Sequence, residues 1–298
     1  MRILVSLIVT VVMGASAFGQ TPTSSDPDRP FEATVSATDG TTISYDVRGD
    51  GNTALVFVHG WCSNRTFWRE QFDAMANEHR VVAIDLPGHG NSGRAREKWS
   101  LSTFASDLTT VIQALDLKRV VLIGHSMGGH VSLEAARLLP ERVIGVVGVD
   151  TFGDVEDEEQ PEMMERVIAA FKADFEGTMR AFMPRLFSPN AAPELVQWVA
   201  DNSVNADSVM ALTIMRDLSD VDEKQLLSSV GVPVRCVYAA PSDSSESRSF
   251  VETNGKYADF DAVFVEGVGH FLHLEDPQSV NHHLKIFLKE LEGQSLDK

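Results

Sequence analysis

The sequence has only two cysteines, few cationic side chains and no apolar run as long as a standard membrane span. Its 298 residues contain Cys62 and Cys236 alone, which excludes a disulfide-rich scaffold and a four-cysteine zinc site. Lys and Arg together number 25 against 43 Asp and Glu, for a formal net charge of −18. This acidity argues against a general nucleic-acid binder and against electrostatic docking on anionic lipid. The rest of the composition, 43% apolar and 23% charged, is typical of a globular protein.

The first 30 residues have the pattern of an export signal followed by a leader. Arg2 precedes the apolar run Ile3–Met13, and Ala15-Ser16-Ala17 follows it. A positive start, about a dozen apolar residues and an A-x-A site are typical of a secretory signal peptide, whereas a membrane span takes about 20 apolar residues. We therefore predict a signal peptide over residues 1–17 and a flexible leader over residues 18–30. The mature protein is then expected in the periplasm or outside the cell, without a membrane span.

Strand-like and helical patterns alternate along most of the chain. The apolar runs typical of buried parallel strands are Ala54–Val58, Val81–Ile84, Val120–Ile123, Val143–Val149, Val232–Tyr238 and Ala262–Val265. Helical patterns separate most of them, which predicts an α/β fold with a doubly wound, mostly parallel sheet. From residue 151 to residue 230 the pattern is helical throughout. We therefore predict a core formed by residues 31–150 and 231–298 and interrupted by a helical cap.

One serine lies in the sequence context of a nucleophile. The pentapeptide Gly124-His125-Ser126-Met127-Gly128 stands between a predicted strand and a predicted helix, as a G-x-S-x-G nucleophile elbow requires. The turn is so tight that glycines two residues away on either side are needed to avoid Cβ clashes. Ser126 would then project at the carboxyl end of the sheet. The N–H of Met127, at the start of the helix, would point at a developing oxyanion.

The chain resembles the α/β-hydrolase family over roughly residues 31–291, and in particular its esterase, lactonase and C–C hydrolase branch with a helical cap. The resemblance rests on the elbow and on three further motifs in the family's order: Val58-His59-Gly60-Trp61, Asp85-Leu86-Pro87-Gly88-His89-Gly90 and Gly267-Val268-Gly269-His270. It implies an eight-stranded, mostly parallel sheet and a Ser-acid-His order of triad residues along the chain. It also implies an oxyanion hole formed by the backbone N–H groups of Trp61 and Met127.

Family order and loop position make His270 the candidate base. It follows the last predicted strand and precedes the last helix, where a loop can carry an imidazole over Ser126. The candidate acid is Asp243, which follows Val232–Tyr238 at the usual family position. Asp150, at the end of Val143–Val149, and Glu246 remain alternatives, because geometry decides this role.

Six of the ten methionines fall in the predicted cap: Met163, Met164, Met179, Met183, Met210 and Met215. Methionine adapts to irregular apolar shapes, so these side chains either form a pliable lid over an apolar substrate or pack the cap on the core.

The sequence predicts a secreted serine hydrolase acting on a small or medium carboxylic ester or lactone, without a metal or organic cofactor. C–C hydrolases, thioesterases and haloperoxidase-like enzymes share this triad and stay as alternatives, as does a non-catalytic ligand-binding protein.

Overall fold

A computed structural model describes residues 31–156, 161–240 and 244–294. The predicted signal peptide, the leader and Asp243 lie outside these ranges. The strands are β1 Phe31–Ser36, β2 Thr42–Arg48, β3 Ala54–Val58, β4 Arg80–Asp85, β5 Val120–His125, β6 Val143–Val149, β7 Val234–Ala239 and β8 Phe260–Val265. They form one eight-stranded sheet in the order β1-β2-β4-β3-β5-β6-β7-β8.

The sheet is mostly parallel, which confirms the predicted fold class. The β1–β2 and β2–β4 pairs are antiparallel, and all pairs from β4 to β8 are parallel. Both faces are covered: in β3, Val56 and Val58 pack into one hydrophobic cluster while Leu55 and Phe57 pack into the other. Burial on both faces explains why β3 and β5 are continuous apolar runs in the sequence.

Helices cover the sheet on both sides and form the insertion after β6. Their bounds are α1 Arg69–Met75, α2 Leu101–Ala114, α3 Met127–Leu138, α4 Pro161–Ala173, α5 Phe175–Phe182, α6 Pro193–Ser203, α7 Ser208–Ser219, α8 Glu223–Ser229, α9 Ser244–Asn254, α10 Leu272–Glu275 and α11 Pro277–Gln294. Helices α2 and α3 contribute to one hydrophobic cluster, and α1 and α11 to the other. None of the helices formed by the described residues is long and apolar enough to cross a membrane.

Two local expectations differ from the structure. The spacing of Phe67, Phe72 and Met75 in the sequence predicts a helix over residues 66–79. The structure has instead a 3₁₀ turn, Arg65–Trp68, and the short α1, which ends where the N–H groups of Glu78 and His79 both bond to the Met75 carbonyl. Helix α9 has no counterpart among the predicted helices, because its serine-rich sequence, SSESRSFVETN, lacks a clear apolar stripe.

Helices α4–α8 lie between β6 and β7, where the sequence predicts the cap, while the predicted limits 151–230 stay a prediction. The side chain of Trp61, in the loop after β3, donates a hydrogen bond from Nε1 to the Ala211 carbonyl of α7 at 2.8 Å. The backbone N–H of Leu101, at the start of α2, donates to the Asp217 carboxylate at 2.6 Å. These two bonds tie α7 to the loops at the carboxyl ends of the parallel strands, so the insertion lies over that end of the sheet.

Candidate active site

Ser126 occupies the turn between β5 and α3 in a conformation that few side chains tolerate. Its φ is +50° and its ψ −124°, and such backbone strain persists only where the surrounding structure enforces it. The Ser126 N–H bonds to the Val149 carbonyl at 3.1 Å. The Ser126 carbonyl accepts from the Gly129 N–H at 2.8 Å and from the Thr151 hydroxyl at 2.7 Å. Both backbone groups of the serine are therefore held by neighbouring segments.

The two glycines of the elbow permit a close approach of three backbone segments. A Cβ at Gly124 would lie 2.3 Å from the Gly128 carbonyl oxygen, and a Cβ at Gly128 would lie 2.2 Å from the Val58 carbonyl oxygen. Any side chain at either position would force the start of α3 away from β3 and β5. The spacing of the sequence motif is thus explained by backbone contact on both sides of Ser126.

The loop after β3 is ordered by a buried histidine. The Leu86 N–H donates to His59 Nε2 at 3.0 Å, so Nδ1 carries the ring proton and donates to the Gly60 carbonyl at 2.8 Å. Because a trans peptide is planar, the Trp61 N–H then points away from the His59 ring. Met127 is the first residue of α3, where an N–H has no acceptor inside the helix. These are the two donors that the sequence predicts for the oxyanion hole.

His270 and Asp150 form a direct pair beside the elbow. His270 Nδ1 lies 2.7 Å from Asp150 Oδ2, and both side chains are mostly buried. The other carboxylate oxygen, Oδ1, accepts from the Ala239 N–H at 2.9 Å. Asp150 directly follows β6 and has a φ of +47°, with its own N–H bonded to the Val237 carbonyl at 2.9 Å. The carboxylate is therefore aimed at the imidazole by the backbones of β6 and β7.

The sequence proposed three acids, and the structure places them differently. Asp150 contacts His270, as described above. Asp243, the first choice from the sequence, lies outside the described residues, and Glu246 lies in α9. Asp85 has a separate role: it is buried, pairs with the Arg65 guanidinium and accepts from the Arg65 N–H at 2.7 Å and the Asn91 N–H at 2.9 Å. These bonds order the turn after β4.

Two buried imidazoles pack behind His270. The His125 ring lies 4.6 Å from the His270 ring and 4.5 Å from the His273 ring, centroid to centroid. His125 Nε2 is 2.9 Å from the His270 carbonyl oxygen, so it carries the proton and donates. The His270 N–H donates to the Leu186 carbonyl at 2.7 Å. Both backbone groups of His270 are thus held, one of them by the residue that precedes the nucleophile.

Burial keeps these neighbours neutral. It lowers the pKa of His273 to about 3 and that of His125 well below its ordinary value, and the adjacent imidazoles add to both effects. The imidazoles of His125 and His273 are therefore uncharged at neutral pH. They do not compete with the Asp150 carboxylate in orienting His270.

We expect the stability of the protein to fall as the pH drops below about 6.5, the ordinary pKa of an unfolded-state histidine. Between about pH 6.5 and the native pKa of His273, about 3, this histidine binds a proton in the unfolded state but not in the native state. The free energy of unfolding therefore decreases toward acid, by at most about 1.4 kcal/mol per pH unit for each such histidine. In His273→Leu the slope between pH 6 and 5 should be smaller by about 1 kcal/mol per pH unit, measured by urea unfolding.

The exposed His282 provides the matched control for this measurement. His282→Gln should leave the slope unchanged, because the His282 side chain is exposed to solvent in the native protein. The neutral replacement at position 273 is feasible because both ring nitrogens of His273 are buried without a hydrogen-bond partner among the described residues. An unaltered slope in His273→Leu would contradict the pKa assignment.

A largely apolar cavity of about 510 Å³ meets Ser126 and His270. Its remaining lining consists mainly of cap and loop side chains: Trp61, His125, Met163, Met164, Val167, Phe182, Met183, Leu186, Met215, Leu218 and Phe271. Four of the six cap methionines are among them, whereas Met179 and Met210 are fully buried in the core. Four of the cap methionines therefore line the cavity, and the other two pack the cap on the core.

The cysteines do not take part in this site. Cys62, in the loop after β3, and Cys236, in β7, are both free and buried. Burial raises the pKa of both thiols, to about 12 for Cys236. Neither thiol is therefore a ready nucleophile at neutral pH.

Some contacts of this site had no signal in the sequence. The Thr151 hydroxyl donates a hydrogen bond to the Ser126 carbonyl, and Phe271 lines the cavity. Both residues belong to chain segments distant from the elbow. Only the tertiary arrangement of β6 and of the loop after β8 identifies them.

Comparison with known proteins places the chain among hydrolases. A sequence model of the alpha/beta hydrolase family matches residues 55–282. The pimeloyl-[acyl-carrier protein] methyl ester esterase of Vibrio atlanticus is 31% identical over 214 residues, which are 66% of this chain and 79% of that protein. An esterase from Thermogutta terrifontis has the same fold, with a TM-score of 0.75 at 24% identity, over 88% of this chain and 99% of that chain.

Several curated relatives are longer or match over a shorter segment. The dihydrolipoyllysine-residue acetyltransferase component of the acetoin cleaving system of Pseudomonas putida is 27% identical over 260 residues, 83% of this chain and 66% of that protein. Others match over only 31–33% of their own length.

Proposed function

Because the chain belongs to the alpha/beta hydrolase family, we propose that it is a serine hydrolase that cleaves a small or medium carboxylic ester or lactone through an acyl-enzyme intermediate. One observation carries the proposal. Ser126, at the strained elbow, and His270, bonded to the Asp150 carboxylate at 2.7 Å, line the same apolar cavity. A positioned nucleophile, a base and an orienting acid are the parts that acyl transfer requires.

In the first half of the reaction, Ser126 Oγ attacks the substrate carbonyl and His270 Nε2 takes its proton. The imidazolium keeps its Nδ1–H on Asp150, whose negative charge stabilises it. The N–H groups of Trp61 and Met127 hold the oxygen that becomes negative in the tetrahedral intermediate. The intermediate collapses when His270 returns the proton to the leaving oxygen, which departs as an alcohol.

In the second half, water replaces the alcohol. His270 takes a proton from the water as its oxygen attacks the acyl carbon, and the same N–H groups stabilise the new tetrahedral intermediate. Transfer of that proton to Ser126 Oγ releases the carboxylic acid and restores the free serine. Among the residues that the structure describes, these steps use those of the elbow, the His270 loop, the Asp150 turn and the loop after β3.

The assignment of Asp150 as the triad acid departs from the first choice made on sequence. Its support is the 2.7 Å contact with Nδ1 and the Ala239 N–H that holds the other oxygen. A carboxylate held in this way selects the tautomer with a free Nε2 lone pair, which is the one that can accept the serine proton.

The substrate is a small molecule with an apolar portion. The cavity has the volume of an ordinary small-ligand site. Methyl ester hydrolysis by the Vibrio atlanticus relative and the esterase fold neighbour support an ester as the substrate class.

The proposed function includes export. Its support is the predicted signal peptide over residues 1–17. N-terminal sequencing of protein recovered from the periplasm or the medium should begin at Phe18, and an intact Met1 in the mature protein would contradict this part of the proposal.

A serine-directed label tests the chemistry. A p-nitrophenyl phosphonate should inactivate the protein with a stoichiometry of one, and mass spectrometry should locate the adduct on Ser126. The same protein should hydrolyse p-nitrophenyl acetate and butyrate before inactivation and lose that activity afterwards. An adduct on the neighbouring Ser132, or full turnover by the labelled protein, would contradict the proposed nucleophile.

A further inference from the structure

A second cavity, of about 310 Å³, also reaches the nucleophile. It is lined by Ser126, Leu218 and a more polar set of side chains, Met127, His130, Asp150, Thr151, Phe152 and Tyr238. Ser126 and Leu218 are the two residues that line both this cavity and the larger one. The nucleophile therefore lies where the two cavities meet, and the Leu218 side chain lies at the same boundary.

The position of Leu218 is fixed by the attachment of α7 to the core. The preceding residue, Asp217, accepts the Leu101 N–H at 2.6 Å, and Ala211, two turns earlier, accepts the Trp61 indole N–H at 2.8 Å. Both bonds join the cap to segments of the α/β core. The segment of α7 that carries Leu218 is thus attached to the core at two points, which gives this residue a defined position beside both cavities.

The location of His270 decides which part of the substrate enters which cavity. The leaving oxygen must lie within reach of His270 Nε2, because that nitrogen delivers its proton. His270 lines the larger cavity and not the smaller one. The alcohol portion of the ester therefore belongs in the larger cavity. The acyl portion, attached to Ser126 Oγ, extends from the other side of the carbonyl carbon.

We propose that the smaller cavity holds the acyl group and the larger apolar cavity holds the alcohol or phenol, with Leu218 as the specificity-determining residue between them. This inference rests on the proposed esterase function. The smaller volume and the polar lining by His130, Thr151 and Tyr238 suit a short acyl group. The methionine- and phenylalanine-lined larger cavity suits a bulkier, apolar leaving group. The substrate class is then an ester of a short acid with a larger apolar alcohol or phenol.

Two ester series of equal carbon number test the assignment in the wild-type protein. One series lengthens the alcohol (butyl, hexyl and octyl acetate), and the other lengthens the acid (methyl pentanoate, heptanoate and nonanoate). We expect kcat/KM for the acetates to exceed that for the methyl esters by about 10-fold or more, the discrimination that a methylene or two gives in an apolar pocket. Equal rates or a preference for the methyl esters would overturn the assignment of the two cavities but not the proposed esterase function. Failure to hydrolyse either series would overturn the proposed function as well.

Variants of residues that line the two cavities test which cavity determines the selectivity for each part of the ester. Leu218→Ala enlarges the acyl cavity and should raise kcat/KM for methyl heptanoate relative to methyl acetate about 10-fold. Val167→Phe reduces only the larger cavity, so it should lower the ratio of kcat/KM for octyl acetate to kcat/KM for methyl acetate.

The half-buried Leu212, on the same helix but lining neither cavity, provides the control. Leu212→Ala should leave both ratios unchanged, and circular dichroism should show the same fold for all variants. If Leu218→Ala instead changes every ester by one common factor, Leu218 acts only by packing and the inference is overturned.

Discussion

Ser126→Ala is expected to lower kcat for ester hydrolysis by about 10⁶-fold. The variant keeps both oxyanion donors and the cavity, so substrate still binds. It removes the hydroxyl oxygen that forms the acyl-enzyme in the proposed mechanism, in which the elbow presents Ser126 to His270. The expected residual rate is that of positioned water beside an oxyanion hole, about 10³–10⁴-fold above the uncatalysed reaction.

The measurement is steady-state hydrolysis of p-nitrophenyl acetate by protein shown to be folded. Ser132→Ala is the matched control, since Ser132 lies on the same helix and its buried hydroxyl donates to the Gly128 carbonyl at 2.6 Å. That variant should keep kcat within a few-fold of wild type. A Ser126→Ala protein retaining a per cent or more of the activity would require a different nucleophile.

Asp150→Asn is expected to lower kcat by about 10⁴-fold, with little change in KM. An asparagine fills the same space, but its amide cannot supply the negative charge that stabilises the imidazolium. Its NH₂ facing His270 would also favour the tautomer with the proton on Nε2, which cannot accept the serine proton. In the unsubstituted protein the Ala239 N–H donates to Asp150 Oδ1 at 2.9 Å. In the variant this N–H would hold the amide oxygen and thereby turn the NH₂ toward His270.

The same substitution at Asp243 discriminates between the two carboxylates. Asp243→Asn should leave kcat within about 10-fold of wild type, because Asp150 already occupies Nδ1 of the base. Measurement of both variants on one ester gives a direct comparison. If Asp243→Asn were the damaging change and Asp150→Asn the mild one, the acid assignment from the structure would be wrong.

Local rules were sufficient to predict the strained elbow at Ser126 and the alternation of the core. The glycines around Ser126 are required by contacts within about four residues and with the adjoining strand, so the motif is readable in one stretch of sequence. The parallel strands β3 to β6 were predictable because strands buried on both faces are continuous apolar runs. Helix α9 was missed because its serine-rich sequence has no such pattern.

The carboxylate that contacts His270 and the two cavities that meet at Ser126 could be identified only from the tertiary structure. Several acidic residues follow predicted strands, and sequence order alone does not state which carboxylate reaches His270. The pairing of β6 with β7, and the bond from the Ala239 N–H to Asp150, decide that distance. Leu218 lines the same two cavities as Ser126. Helix α7 is held there by hydrogen bonds from Trp61 and Leu101, which join residues more than 100 positions apart in the chain.

The sequence by itself determined the α/β fold class and the position of the elbow, and it singled out the candidate nucleophile, base and oxyanion donors. It could do so because strand periodicity, the glycine spacing of the elbow and the loop motifs are local consequences of backbone geometry. Only the tertiary structure decided which carboxylate meets Nδ1 of His270, which cap side chains line the cavity, and that two cavities meet at Ser126. These are distances between segments far apart in the chain, and they depend on how the whole sheet and the inserted helices pack.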